Sequence, residues 1–268
     1  MDPLDWVNGL KLGLLAGAAI VSIVLTPPVE PTGTELRDRV PEFGAGYASP
    51  SVRRVARWIV ADGDNGRAPF AIVDKPDARL YVFDHRGRLR GTSQVLLGSA
   101  RGDDTVPGIG QRPIQLVRPD ERTTPAGRFM ATPGRNARDE DVIWIDYDAA
   151  VSMHRVRLTQ PAEHRLERLA SPRAADRRIS YGCINLPVAF FDEIVWQMFG
   201  TRGGIVYVLP EVRSIEWTFP GMRRFEARAN PTLAQGAQAS GPAAPVFEET
   251  AANPGRRAST PTRAPPSA

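Results

Sequence analysis

The sequence predicts a mainly β, mostly antiparallel domain, and three observations predict it. From Pro69 onward, short alternating or β-branched runs follow one another: "FAIVDK", "RLYVFDH", "QVLLGS", "GRFMAT", "DVIWIDY", "AVSMHRV" and "GGIVYVLPE". Turn signals separate them, since "HRGR" divides two strand-like runs as a hairpin does, and "TTPAG" has Pro and Gly where a tight turn needs them. One stretch breaks the pattern. "LPVAFFDEIVWQMFG" sets Val188, Phe191, Val195 and Met198 at helical period, with Pro187 near its first turn and Gly200 at its end.

Along the chain, residues 1–29 come first. "LGLLAGAAIVSIVLTPPV", Leu12 to Val29, carries no charge and its apolar part stops at Pro27-Pro28. Leu12 to Leu25 makes only about 21 Å of helix against about 30 Å of hydrocarbon, so a span needs Val7 to Leu10 as well, with Lys11 snorkelling. No small-x-small cleavage site follows, and a retained membrane anchor is the expectation, with a cleaved signal peptide as the alternative. Residues 30–50 read as a Pro- and Gly-rich linker, and residues 51–66 as a short helix with Val52, Val55, Trp58 and Ile59 on one face. Residues 67–212 form the predicted β domain, 213–228 an extension, and 229–268 a disordered tail. That tail holds seven prolines, eleven alanines and one aromatic, Phe247, too little apolar surface to offset the entropy of ordering.

Composition narrows the function. With 268 residues and 42% hydrophobic content, the chain can bury a substantial core. Its one cysteine, Cys183, excludes an intramolecular disulfide and a cysteine-built zinc site, and no group of Cys, His and carboxylates has metal-ligand spacing. No metal or cofactor is expected. A net charge of +4 invites a nucleic-acid reading, but there are only two lysines, Lys11 and Lys75, and no basic-aromatic interleaving, so no nucleic-acid partner is expected. "GSARGDDTVPGIGQRP", Gly98 to Pro113, lacks the endings of a phosphate loop and the spacing of a calcium loop, and reads as a surface loop.

Cys183 sits in "RISYGCINLP". A catalytic thiol must reach the thiolate form, which takes a base or a positive potential. The helix expected from Pro187 offers the second, and Gly182 leaves backbone N–H groups open to an oxyanion. There are three histidines to supply the base. His154 ends the strand-like "AVSMHRV", whereas His85 precedes a hairpin turn and His164 lies in the charged "QPAEHRLERLA", so His154 is the candidate. A buried, inert cysteine is the competing reading.

Taken in order, "TTPAGRF", "SMHRV" and "SYGCINLP" resemble the motifs of the L,D-transpeptidase (YkuD-type) catalytic domain, over roughly Pro69 to Glu211. The resemblance implies an antiparallel β-sandwich or barrel-like domain with a helix after the nucleophile loop. It implies a peptidoglycan enzyme in which Cys183 attacks the stem peptide and His154 is the general base, oriented by the main-chain carbonyl of Arg155. Ser180 and Asn185 match positions that shape the nucleophile loop, and the N–H groups of Gly182 and Cys183 become the expected oxyanion donors. Partners follow: peptidoglycan stem peptides, and the inner membrane through the N-terminal segment, with a periplasmic location. Transfer to an amine, hydrolysis by water as an L,D-carboxypeptidase, and an inactive peptidoglycan-binding module all remain open at this level.

Two departures stand out. Tyr181 occupies the place where that family usually has histidine. The interval Arg155 to Ile179 is long and carries seven arginines against Glu163, Glu167 and Asp176. It reads either as a basic lid suited to substrate carboxylates or as a solvated helix face.

Overall fold

The computed structural model describes residues 40–44 and 46–229. The expected anchor helix and tail therefore lie outside the described residues, apart from Ala229. Among the described residues no helix is long and apolar enough to cross a membrane. The chain divides into two compact units, 1–222 and 223–268, the second described only where the last helix ends.

The first helix, α1 (Pro50–Asp62), starts where its chemistry dictates. Ser49 Oγ accepts from Val52 N at 3.2 Å, Pro50 sits in the first turn, and Gly63 closes the helix at φ 69° with its N–H on Ile59 O. Val52, Val55, Trp58 and Ile59 are buried as their spacing predicts. Trp58 meets Tyr207 and Phe219 at ring-centroid distances of 5.8 and 5.9 Å. Within the expected 51–66 segment the left-handed Gly63 ends the helix.

The β domain is built from β1 (Phe70–Asp74), β2 (Arg79–Phe83), β3 (Leu89–Gln94), β4 (Leu97–Gly98), β5 (Gly127–Arg135), β6 (Asp141–Asp146), β7 (Val151–Arg155), β8 (Arg178–Ser180), β9 (Ile184–Leu186) and β10 (Gly204–Val208). Eight of them form one sheet in the order β3-β2-β1-β10-β5-β6-β7-β9, and β4 pairs with β8. The ends nearly meet: past β3, Leu96 exchanges both backbone hydrogen bonds with Asn185 of β9, at 3.0 and 2.9 Å. The result is a mainly β, nearly closed sheet with a few helices.

The expected antiparallel sheet is corrected to a mixed one. β1 runs parallel to β10, β7 to β9 and β4 to β8. The first two pairs join strands separated by long crossovers, which turn residues between neighbouring runs do not signal. Burial follows the two-residue period: Ala71, Val73, Leu80 and Val82 enter the core with Ile143, Met153, Ile184, Val206 and Val208. From the opposite face, Phe70 stacks on Phe83 at 4.7 Å and meets Tyr207 edge-on at 6.2 Å. Both faces of β1 are covered, so all five of its residues are buried.

The helical run after the Cys183 loop, α3, is irregular. It begins as Val188–Phe190, passes through a π turn at Phe191–Val195 and finishes as Trp196–Phe199. The extra residue of the π turn rotates the buried face, so Phe191, Val195 and Phe199 are fully buried while Val188 is 49% exposed. The expected stripe through Val188 and Met198 is displaced for this reason. Before α3 lies α2 (Arg165–Ala170), and after β10 come α4 (Ile215–Thr218) and α5 (Pro220–Ala229).

The stretch Gly98 to Pro113 is not all surface. Asp103 is 4% exposed and joins the end of β1 to the chain after β10. Its Oδ1 accepts from Lys75 Nζ at 2.8 Å and Glu211 N at 2.8 Å, and its Oδ2 from Val212 N at 2.9 Å and Arg213 N at 2.6 Å. Burial opposes its charge, but Lys75 and the three backbone donors outweigh this and hold the carboxyl at about 2. A depressed carboxyl stabilises the fold above its unfolded value near 4, and that contribution is lost as pH falls through about 2. Asp103→Asn places an amide donor among donors and weakens a buried pair, so it is expected to cost about 3–5 kcal/mol at neutral pH. Urea melts from pH 2 to 7 check this: the gap between the two proteins should close toward pH 2, and a constant gap would contradict it.

Candidate active site

Parallel pairing of β7 with β9 builds the site. The register sets Met153 against Ile184, His154 against Asn185 and Arg155 against Leu186. Met153 and Ile184 point into the core at 0% exposure. By the alternation of a strand, Ser152 and His154 share the other face with Cys183 and Asn185. Residues about thirty apart in sequence meet there.

The loop between β8 and β9 presents Cys183. Ser180, 3% exposed, donates from Oγ to Cys183 O at 2.6 Å and accepts from Gly182 N at 3.1 Å. Gly182 has φ 130°, and a Cβ there would stand 2.7 Å from Thr123 O, so the bend at this point requires glycine. Its carbonyl accepts from Thr124 Oγ1 at 2.8 Å, and Thr124 O accepts from Lys75 Nζ at 3.0 Å. The Asp103–Lys75 pair thus reaches the Cys183 loop through one threonine.

Cys183 is half-buried, with Sγ 3.4 Å from Ala150 O and 3.8 Å from Ser152 Oγ. Burial pushes the thiol up. The imidazole of His154, as hydrogen-bond partner and as charge, outweighs burial with help from the backbone and hydroxyl of Ser152, and the thiol falls below its ordinary value. β9 lies between Cys183 and the start of α3.

His154 Nδ1 lies 2.7 Å from Arg155 O, and Nε2 lies 3.1 Å from Asn185 Nδ2. A carbonyl can only accept, so Nδ1 carries a proton, and in the neutral ring Nε2 keeps its lone pair. The Arg155 side chain turns away to Asp192, 2.7 Å from Nε to Oδ1. A cleft of about 190 Å³ opens beside His154, walled by Glu140, Asp141, Arg155, Arg157 and Val188. His85 is exposed in the β2–β3 turn, and the exposed His164 pairs with Glu167 at 3.1 Å.

Tyr181 stacks beneath Arg122, whose guanidinium carbon is 4.1 Å from the ring centroid. Arg122 is itself held by Val117 O. Of the two N–H groups expected to hold an oxyanion, that of Gly182 is engaged by Ser180 Oγ, which leaves the Cys183 N–H.

The interval Arg155 to Ile179 does not present a free basic face. Arg155 pairs with Asp192, Arg157 with Glu140, Arg173 with Asp176, and Arg178 with Glu211. Arg168 donates to Glu163 O and Asp176 O, and Arg177 to Ser171 O and Asp77 O. Arg165 bonds Glu163 and the Oδ1 of Asn185. Each of the seven arginines in this interval has a partner within the protein.

Four residues of the site escaped the sequence reading: Thr124, Ser152, Arg122 and Arg165. Ser152 stands two residues before His154 in a strand and so shares its face, a signal the sequence did contain. Among the described residues no group of His, Cys, Asp and Glu could hold a metal ion.

No protein-family model and no curated protein matches the chain. Among solved structures it is similar to an Ldtfm–avibactam carbamoyl enzyme, at 17% identity and a TM-score of 0.33 over 53% of this chain and 49% of that one. It is similar to a mutant of Enterococcus faecium L,D-transpeptidase at 18% identity and a TM-score of 0.31 over 53% and 50%. A mutant of the helical cell shape determining protein Pgp2 from Campylobacter jejuni matches at 12% identity and a TM-score of 0.35 over 72% and 68%. The chain spans about half the length of the first two.

Proposed function

We propose that the chain is a cysteine acyltransferase of peptidoglycan, an L,D-transpeptidase that passes a stem-peptide acyl group to an amine. The observation that carries this reading is geometric: the β7–β9 register sets Ser152, His154, Cys183 and Asn185 on one face, with His154 Nδ1 2.7 Å from the Arg155 carbonyl, and the imidazole draws the thiol below its ordinary value. The ordered motifs "TTPAGRF", "SMHRV" and "SYGCINLP" support the choice of substrate class. The same reading places the enzyme in the periplasm, held to the inner membrane by its N-terminal segment.

In the proposed reaction Nε2 of His154 takes the proton of Cys183 Sγ as the sulfur attacks the scissile carbonyl. The Cys183 N–H donates to the developing oxyanion. The carbon–nitrogen bond breaks, the proton on Nε2 goes to the departing amine of the D-amino acid, and a thioester remains. An acceptor amine attacks the thioester, gives its proton to Nε2, and the thiolate leaves and is reprotonated.

Digestion of purified disaccharide-tetrapeptides, with products weighed by mass spectrometry, tests the proposal. A crosslinked dimer is the expected product. Tripeptides alone would make water the acceptor and the enzyme an L,D-carboxypeptidase, and unchanged substrate would sink the acyl-transfer reading.

A further inference from the structure

Asn185 is 1% exposed, and its backbone is fixed on both sides by Leu96. Its carboxamide has two ends, and the structure assigns each a different neighbour. Nδ2 faces His154 Nε2 at 3.1 Å and, more distantly, Cys183 O at 3.5 Å. Oδ1 accepts from Nη1 of Arg165, the first residue of α2. A guanidinium can only donate, so it admits the oxygen end of the amide and excludes the nitrogen end. Arg165 is itself positioned: its Nε lies 2.5 Å from Glu163 Oε2, and its side chain is 14% exposed. The segment bearing it is tied down by Arg168 on Glu163 O and by Gln94 Nε2 on Ser171 O, at 2.9 and 3.2 Å.

We propose that Arg165 is a positioning residue for the base: it holds Asn185 with the NH2 turned to His154, and so keeps Nε2 a proton acceptor at rest. When Nε2 takes the thiol's proton it becomes a donor and confronts the donor of Asn185. Forming the thiolate–imidazolium pair therefore costs the Asn185 hydrogen bond, and the resting pair is biased toward thiol and neutral imidazole. A neutral Nε2 is what both transfer steps need, first to accept from the thiol and later from the incoming amine. Without Arg165 the carboxamide is free to turn its oxygen to Nε2–H, and the ion pair gains.

The sign of this effect separates it from a simple electrostatic role. A nearby guanidinium acting as a charge favours the thiolate, so its loss would slow the thiol; acting through Asn185, its loss speeds it. Cys183 is the one cysteine of the chain, so alkylation of the full-length protein by iodoacetamide, followed by intact mass, reads this thiol alone. At pH 7 Arg165→Met is expected to react about fivefold faster than the unaltered chain, the factor one lost hydrogen bond represents. Arg165→Lys, which restores a donor to Oδ1, is expected to return to within about twofold of the unaltered rate. Glu163→Gln, which loosens the guanidinium without removing it, should move the rate in the same direction by less. In an Asn185→Ala background, Arg165→Met should change nothing further.

A rate unchanged or slower in Arg165→Met overturns the proposal. So does equal acceleration in the Asn185→Ala background, because that is the mark of a loosened, more accessible loop. The inference rests on the Cys183–His154 pairing of the proposed function, but alkylation involves no peptidoglycan. A chain that transfers no peptide yet shows the Arg165 effect therefore separates failure of the substrate reading from failure of this one.

Discussion

Cys183→Ala is expected to carry no adduct after incubation with a carbapenem, whereas the unaltered chain gains one β-lactam mass. The unaltered protein offers one thiol, so intact-mass spectrometry assigns the adduct without peptide mapping. Ring opening needs a nucleophile that is deprotonated, accessible and close to a donor for the oxyanion. Cys183 is half-buried, lies below its ordinary value through His154, and stands next to the bend at Gly182. Peptide transfer should fall by roughly 10⁶, the scale seen when a covalent nucleophile is removed. The fold should survive, because Ser180 Oγ and Thr124 Oγ1 bond the carbonyls of Cys183 and Gly182 and involve no sulfur. An unmodified wild-type chain would instead support the reading of an inactive binding module.

His154→Ala is expected to slow acylation by about 10²–10⁴-fold with the melting curve little changed. Burial alone raises Cys183, and His154 is the largest of the influences that overcome it. With the imidazole gone the burial stays, so the thiol deprotonates at higher pH and the alkylation profile moves upward in pH. A shift in the opposite direction, or an unchanged acylation rate, would remove His154 from the role of base. Arg165→Met provides a contrast, since it is expected to speed alkylation where His154→Ala slows it.

The strands were readable because their residues carry the signal locally. "FAIVDK", "RLYVFDH" and "DVIWIDY" became β1, β2 and β6, and α1 buried the residues its spacing marked. β8 and β9 were not read as strands, since three-residue segments around a glycine bend hold too few residues to show a period. The parallel pairings were equally hidden, because a crossover leaves no turn signature at the strands it joins. Asp103 was read as part of a surface loop, and burial of a carboxylate depends on partners such as Lys75 and the backbone after β10 that are remote in sequence.

For the site, the sequence by itself determined which groups could do chemistry: one thiol, three histidines, and a Ser-x-Gly-Cys-x-Asn loop. Those are properties of residue type and near neighbours. Tertiary structure decided which groups act on one another. The register of β7 against β9 set His154 opposite Asn185, α2 brought Arg165 to the amide oxygen, and Arg122 covered Tyr181. Hydrogen bonds act over about 3 Å, and distances of that size between residues far apart along the chain exist only once the strands have paired.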